Sequence, residues 1–221
     1  MPDPRLISGE ACLAPTKLGR SAVSIPEPVR LFFALWPEAS LQQAFFEAGL
    51  KLYQRCGGRR TRRENIHLTL VFLGEVEADR LQRVTDVADQ ITLPAFDLHF
   101  TRLGWWRQNQ VAWVATDETP RPLIDLVKQL QLGLVAEGFK FDERRFQAHI
   151  TLLRKANCPP GLIENQPIAW HANEFVLVRS TLHEDGPHYA IAKRWPSNPM
   201  PTGRCWWRRR GGAVRPCSVS R

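Results

Sequence analysis

Two short motifs in this sequence place a histidine and a threonine on one side of an apolar strand. His67-Leu68-Thr69-Leu70 and His149-Ile150-Thr151-Leu152 both follow the pattern His-x-Thr-x, in which x is apolar. In a β-strand, residues i and i+2 face one side and residues i+1 and i+3 face the other. Each motif is therefore predicted to present its histidine and threonine on a polar face while its apolar residues pack into the core.

These residue types suit proton transfer at phosphorus. An imidazole has an unperturbed pKa of about 6.5, so it can hold or release a proton near neutral pH. If two imidazoles flank one phosphodiester, the neutral ring can take a proton from the attacking water while the protonated ring gives one to the departing oxygen. Threonine hydroxyls can donate hydrogen bonds to the non-bridging oxygens, where negative charge accumulates. The motifs therefore favour metal-independent chemistry on a strained cyclic phosphodiester.

Other interpretations of the histidines remain open on these grounds alone. A histidine in an apolar strand is often a hydrogen-bonded core residue, although a symmetric pair with companion hydroxyls favours function. Two neutral histidines could bind zinc, but no carboxylate or cysteine shares their spacing and H-E-x-x-H is absent. We therefore expect no metal and no cofactor. A third match, His99-Phe100-Thr101, is followed by Arg102 and is interpreted as a surface strand.

The elements that position the motifs form an internal repeat of strand, helix and strand. The first strand begins at Leu31, 36 residues before His67, and its counterpart begins at Val111, 38 residues before His149. Matched spacing of this kind sets the architecture. Further elements are predicted as a helix over Asp79–Ile91, a strand over Phe96–Leu103, and a hairpin of Glu174–Leu182 and Tyr189–Trp195. The fold class is predicted to be α+β, a bilobal pseudo-two-fold repeat with two mainly antiparallel sheets facing a central cleft.

Composition and charge exclude several classes of protein. The 221 residues are 43% apolar and 24% charged, which excludes a collagen-like, coiled-coil or wholly disordered chain. No apolar run approaches the roughly 20 residues that a membrane span needs, so we expect no membrane contact. The net charge of +8 belongs mostly to residues 197–221, which hold six Arg and no acidic residue, since residues 29–196 carry only +2. We predict one domain of two interwoven lobes over 29–196, between a disordered extension (1–28) and a disordered basic tail (197–221).

Cysteine usage indicates a reducing compartment. The five cysteines are odd in number and widely scattered, with no C-x-x-C pair. This pattern argues against a disulfide framework and against a zinc site. The N-terminus contains acidic residues and no continuous apolar core, so a secretory signal is not expected. We expect a cytoplasmic monomer.

Three stretches of the sequence resemble the two-histidine (2H) phosphoesterase superfamily, which is defined by two His-x-Thr-x motifs in a pseudo-symmetric bilobal fold. They are RLFFALWP (30–37), ENIHLTLVFLGEV (64–76) and HITLLRKA (149–156). They look most like the bacterial and archaeal RNA 2′,3′-cyclic phosphodiesterases, also called LigT-like 2′-5′ RNA ligases. The resemblance covers roughly residues 29–195.

The resemblance implies a role for five side chains. His67 would donate a proton to the leaving oxygen and His149 would act as the base. The phosphate would be held by Thr69, Thr151 and Arg154. The implied reaction is hydrolysis of a 2′,3′-cyclic phosphate at an RNA end to a 2′-phosphomonoester, with reversible 2′-5′ ligation, and the implied substrates include RNA ends from tRNA splicing (tRNA halves).

Substrate contacts are predicted from three further features. Arg154 lies an odd number of residues from His149, so it can reach the site only if the strand ends or bends near Leu153. Phe33, or its neighbour Phe32, could stack on a base. The family's aromatic and proline positions before the first motif are replaced by Arg59-Arg60-Thr61-Arg62-Arg63. Of these residues, Arg60, Arg62 and Arg63 could contact flanking phosphates.

Two alternative functions remain on the sequence evidence. One is a non-catalytic module that binds RNA ends in the same cleft. The other is a phosphodiesterase that acts on linear 2′-5′ oligonucleotides or on small cyclic nucleotides. The motifs do not separate these functions, because they contact only the phosphate.

Overall fold

The structure, a computed structural model, describes residues 27–141, 145–159, 166–184 and 186–197. These residues form three α-helices and nine β-strands. In chain order they are β1 (Val29–Leu35), α1 (Ala39–Cys56), β2 (Arg59–Arg60), β3 (Leu68–Val76), α2 (Leu81–Asp89), β4 (Phe96–Trp106), β5 (Val111–Thr116), α3 (Arg121–Ala136), β6 (His149–Arg154), β7 (Ile168–Ala172), β8 (Glu174–His183) and β9 (Gly186–Pro196). The predicted extension (1–28) and tail (197–221) lie almost entirely outside the described residues.

The strands form one antiparallel sheet with two halves. Its strand order is β7-β4-β5-β6-β3-β1-β8-β9, and β2 pairs with β6 off this path. The halves meet where Leu68 of β3 pairs with Ile150 of β6. The two antiparallel sheets that the sequence predicts are therefore present as two halves of a continuous sheet.

The internal repeat is visible in the strand order. The units β1-α1-β3 and β5-α3-β6 occupy equivalent positions on either side of the junction between β3 and β6. Each helix contacts the opposite half of the sheet, because α1 packs on β6 and β7 while α3 packs on β3. This exchange of helices interlocks the two lobes.

The core lies between the helices and one face of the sheet. One apolar face of α1 and one of α3 are buried there, as expected for amphipathic helices. The four x residues of the motifs belong to the same core, with exposed fractions of 4% or less: Leu68, Leu70, Ile150 and Leu152. Their burial leaves the histidines and threonines on the opposite face. None of the described helices is long and apolar enough to cross a membrane.

A disulfide joins Cys56, at the end of α1, to Cys158, which follows β6. The prediction from cysteine spacing that the chain has no disulfide is wrong. The two residues are 102 apart in sequence, but α1 crosses to the other lobe and ends beside the segment after β6. There the amide of Asn157 donates a hydrogen bond of 2.9 Å to the carbonyl of Cys56. The cysteine count therefore no longer supports a reducing compartment.

Candidate active site

The pairing of Leu68 with Ile150 brings the two motifs together. Antiparallel register around this pair places His67 opposite Thr151 and Thr69 opposite His149. All four side chains line one cleft. The polar faces predicted separately for the two motifs thus form a single surface.

Each imidazole is held by the backbone carbonyl two residues before it. The Nδ1 atom of His67 lies 2.7 Å from the oxygen of Asn65, and Nδ1 of His149 lies 2.8 Å from the oxygen of Gln147. A carbonyl oxygen can only accept, so both Nδ1 atoms carry hydrogen and Nε2 of each neutral ring is an acceptor. The Nε2 of His67 accepts a hydrogen bond of 3.0 Å from the hydroxyl of Thr69.

Both histidines are neutral in the free cleft at pH 7. Burial, together with the positive charge of Arg154 and against the opposing hydrogen bond to Asn65, lowers the pKa of His67 to about 4. Burial is also the main cause that lowers the pKa of His149, again with a contribution from Arg154. An anion placed between the rings would have the opposite effect, because it favours the protonated form.

Aromatic rings account for much of this burial. The rings against His67 are those of Trp36, Phe32 and Tyr189, at centroid distances of 5.3, 4.9 and 5.3 Å. The Trp36 ring is nearly parallel to the imidazole, with 7° between the planes. Among the described residues, His149 has one such neighbour, Trp106, whose ring contacts it edge-on at 4.6 Å.

Arg154 lines the cleft because β6 contains a β-bulge. The pairing of β6 with β5 skips Leu152, and Leu152 and Leu153 are both buried. Because of this extra residue, the side chains after the bulge point to the opposite face from the one that regular alternation would give them. Arg154 therefore lies on the same side as His149 and lines the cleft with it, which is the bend near Leu153 that the sequence requires.

An equivalent bulge in β3 gives a different result. The pairing of β3 with β1 skips Leu70, and Leu70 and Val71 are both buried. Phe72 consequently takes the position that Arg154 holds in the other lobe. Its ring is 42% exposed, and the guanidinium of Arg30 lies 5.0 Å from the ring centroid. One lobe thus offers a cation to the site and the other an aromatic ring.

Phe72 belongs to an aromatic hollow beside the cleft, which we define by Phe32, Phe72 and Tyr189 and which also borders His67. The prediction that Phe33 stacks on a base is wrong. Phe33 is 0% exposed and packs against Phe175 and Trp195 in the core. Alternation along β1 turns Phe33 to the core, whereas Phe32 borders the hollow.

Sequence reasoning missed Phe72 and Tyr189. A signal for Phe72 was present, because Phe72 and Arg154 each follow their motif histidine by five residues. Tyr189 carried no comparable signal, since it lies far from both motifs in sequence. The third match was interpreted correctly, as His99 is exposed on β4.

The basic stretch before the first motif also reaches the cleft. Strand β2 pairs with the end of β6, where Arg59 lies opposite Arg154. Gly58 permits this approach, because a Cβ there would lie 2.6 Å from the carbonyl oxygen of Arg154 and the residue has φ +88°. Among the residues that the structure describes, the cleft is lined by four arginines and no carboxylate: Arg59, Arg60, Arg62 and Arg154. Such a lining attracts anions.

Metal ligands are not grouped in the part of the chain that the structure describes. No set of three or more His, Cys, Asp or Glu side chains there is placed to hold a metal ion. The chemistry available in the cleft is that of two imidazoles, hydroxyl donors and guanidinium groups.

Comparison with known proteins agrees with the repeat and the fold. The family model described as LigT like Phosphoesterase matches twice, over residues 35–113 and 114–189, so that each match contains one motif. The RNA 2′,3′-cyclic phosphodiesterase of Escherichia coli is 33% identical over 174 residues, which are 76% of this chain and 97% of that protein. The protein of the same name from Thermotoga maritima is 30% identical over 178 residues, 74% of this chain and 92% of that protein.

Solved structures give the same result. The crystal structure of E. coli LigT complexed with 3′-AMP superposes with a TM-score of 0.71 at 32% identity, and covers 78% of this chain and 100% of that one. The structure of TT0787 from Thermus thermophilus matches with a TM-score of 0.64 at 25% identity, over 76% of this chain and 97% of that one. Two family matches that together span most of the described chain, each carrying one histidine of the cleft, show that this protein belongs to the LigT-like phosphoesterase family.

Proposed function

We propose that this protein hydrolyses the 2′,3′-cyclic phosphate at RNA ends to a 2′-phosphomonoester by two-histidine acid–base catalysis. The observation that carries the proposal is that His67 and His149, each with a threonine, line one arginine-rich cleft. The names of the bacterial relatives support the choice of an RNA cyclic phosphate as substrate.

In this reaction the two histidines have opposite roles. The neutral ring of His149, oriented by Gln147, accepts a proton at Nε2 as water attacks phosphorus. The new P–O bond forms as the bond between phosphorus and O3′ breaks, and protonated His67 gives its Nε2 proton to O3′. One proton is taken up and one is released, so exchange with solvent restores both rings.

Substrate binding enables His67 to take up from solvent the proton that it needs. The pKa of His67 is lowered to about 4 in the free cleft, and the negative charge of the bound phosphodiester raises it. Protonation also removes the acceptor to which the Thr69 hydroxyl donates in the free protein. That hydroxyl then becomes available to a non-bridging phosphate oxygen, so phosphate binding and the charging of His67 favour each other.

The remaining contacts follow from the asymmetry of the two lobes. Arg154 and Thr151 hold the phosphate from the side of His149. The aromatic hollow borders His67 and receives the base of the terminal nucleotide. With the base in the hollow and the phosphate in the cleft, the ribose and hence O3′ would lie on the side of His67, which supports its role as the proton donor.

The proposed mechanism extends to 2′-5′ ligation. An RNA 5′-hydroxyl that takes the place of water at His149 attacks the cyclic phosphate, and O3′ leaves with the proton from His67. The product contains a 2′-5′ phosphodiester bond. The reverse reaction uses the same two histidines in exchanged roles.

A short RNA that ends in a 2′,3′-cyclic phosphate tests the proposed function. The expected product is a 2′-phosphate end, formed at the same rate with and without EDTA. Tight binding without turnover would identify a non-catalytic RNA-end module. Cleavage of a linear 2′-5′ oligonucleotide or of a small cyclic nucleotide, with the cyclic-ended RNA untouched, would also overturn the proposal.

A further inference from the structure

A second groove adjoins the catalytic cleft. We call it the basic groove and define it by Phe46, Arg60, Arg62 and Arg63. Arg60 and Arg62 line both the basic groove and the cleft, so the two surfaces are continuous. The groove does not border the aromatic hollow, which lies on the side of His67.

Aromatic rings position the central cation of the basic groove. The guanidinium carbon of Arg60 lies 5.0 Å from the ring centroid of Phe46 and 5.6 Å from that of Tyr53. Cation–π contacts of this kind hold the guanidinium plane while its N–H groups remain able to bind phosphate oxygens. The Tyr53 ring is 42% exposed, and an exposed ring beside an arginine is a surface on which a base can stack.

Three arginines of this region are not neutralised by carboxylates of the described residues. Within the described ranges, Arg59, Arg60 and Arg63 form no ion pair, whereas other surface arginines do. Examples of paired arginines are Arg83 with Glu137 and Arg121 with Asp125. Arg63 donates a long hydrogen bond of 3.4 Å to the neutral amide of Gln43. Of the described residues that line the groove, Glu64 is the one carboxylate.

The backbone of the groove is fixed by the catalytic strand. The amide of Thr61 donates to the carbonyl of Leu152 at 2.8 Å, and its hydroxyl donates to the carbonyl of Thr151 at 2.9 Å. The arginines on either side of Thr61 are therefore held at a set distance from the motif threonine. A phosphate bound by these arginines would therefore lie at a fixed distance from a phosphate bound in the cleft.

We propose that the basic groove binds the phosphodiester backbone of the RNA adjacent to the reacting end, so that this protein prefers oligonucleotide ends to cyclic mononucleotides. The inference rests on the proposed function. A cyclic mononucleotide has one phosphate and one base, which the cleft and the aromatic hollow already accommodate. Further cations in a continuous groove stabilise only a substrate with further phosphates.

The test compares two substrates, a six-nucleotide RNA ending in a 2′,3′-cyclic phosphate and adenosine 2′,3′-cyclic phosphate. For Arg63→Ala we expect kcat/KM to fall about 5- to 10-fold on the RNA, with the mononucleotide rate essentially unchanged. For the RNA, the slope of log kcat/KM against log salt concentration should become shallower by about 1 in this variant. Arg60→Ala should lower the rate on RNA more than the rate on the mononucleotide. Arg121→Ala removes a paired arginine elsewhere and should change neither.

Two results would overturn the proposed role of the groove and leave the proposed function intact. One is an equal kcat/KM of the unmodified protein on both substrates, and the other is an equal loss of kcat/KM on both substrates in Arg63→Ala. If neither substrate is turned over, the proposed function fails instead. In that case the role of the groove is tested by measuring, with fluorescence anisotropy, the affinity for the same RNA ending in a 2′-phosphate. Weaker binding of this RNA to Arg63→Ala than to Arg121→Ala supports the groove, and equal binding refutes it.

Discussion

Leu68 and Ile150 pair across the junction of the two halves of the sheet, and both side chains are completely buried. The histidine and threonine of each motif flank these residues on the opposite face. The relative position of the two imidazoles is therefore set by core packing and strand register. A site built on strands in this way is more rigid than one built on loops.

The first prediction concerns the two imidazoles. His67→Asn and His149→Asn should each lower kcat by about 10²- to 10⁴-fold, because each removes one proton transfer from the reaction. Circular dichroism should show an unchanged fold. His99→Asn is the matched control, since His99 is exposed on β4 in the third His-x-Thr sequence, and it should keep full activity. Full activity in either motif variant would contradict the acid–base assignment.

The sequence was informative where a pattern was local. The motif leucines and isoleucine alternate with polar residues, which sets the phase of β3 and β6, and the apolar stripes of α1 and α3 are regular. In contrast, the run Leu31–Leu35 is apolar throughout. It contains no polar residue to mark its phase, so Phe32 and Phe33 could not be distinguished.

Features that depend on two distant segments were not predictable. The bulge that turns Arg154 into the cleft arises from the pairing of β6 with β5, and a single strand sequence does not show it. The disulfide arises from the position of α1 under the opposite lobe, which brings Cys56 to Cys158. The disulfide follows from the interlocking of the lobes, and the bulge follows from the pairing of two strands within one lobe. Neither is encoded in a local pattern.

The second prediction is that phosphate binding takes up protons. The pKa of His67 is lowered to about 4 in the free cleft, and a bound anion raises it. At a pH between the pKa of the free cleft and that of the complex, the ring therefore gains a proton when phosphate binds. Titration of inorganic phosphate at pH 5.5 in buffers of different ionisation enthalpy should reveal this uptake by calorimetry. His67→Asn should reduce it. Uptake that is unchanged in His67→Asn would assign the proton to another group.

The third prediction concerns stability at acid pH. The folded pKa of His67 is about 4 and the unfolded value is about 6.5, so the unfolded chain binds more protons between these pH values. The free energy of unfolding should therefore fall as pH decreases from 6.5 to 4. His67→Asn should lose less stability over this range than the unmodified protein, measured by urea denaturation at both pH values. Parallel losses in the two proteins would show that the ring is not buried as the structure indicates.

The fourth prediction separates the two faces of the sheet. Phe72→Ala should raise KM for adenosine 2′,3′-cyclic phosphate about 10-fold, since loss of base stacking costs about 1–3 kcal/mol, with little effect on stability. Phe33→Ala should instead lower the free energy of unfolding by about 3–5 kcal/mol, as for other buried phenylalanines. Thermal denaturation and steady-state kinetics of both variants measure the two effects. A KM that responds to Phe33→Ala but not to Phe72→Ala would show that the base does not bind in the aromatic hollow.

The last prediction concerns the disulfide between Cys56 and Cys158, which closes a loop of 102 residues. A crosslink of this span restricts the unfolded chain strongly, so its loss should lower the free energy of unfolding by about 2–5 kcal/mol. The double variant Cys56→Ala/Cys158→Ala should have a lower Tm than the unmodified protein, and dithiothreitol should lower the Tm of the unmodified protein alone. Activity at 25 °C should persist in the double variant, because β2 remains paired with β6 through backbone hydrogen bonds. A Tm of the unmodified protein that does not respond to dithiothreitol, with free thiols detected at both positions, would show that the bond does not form in solution.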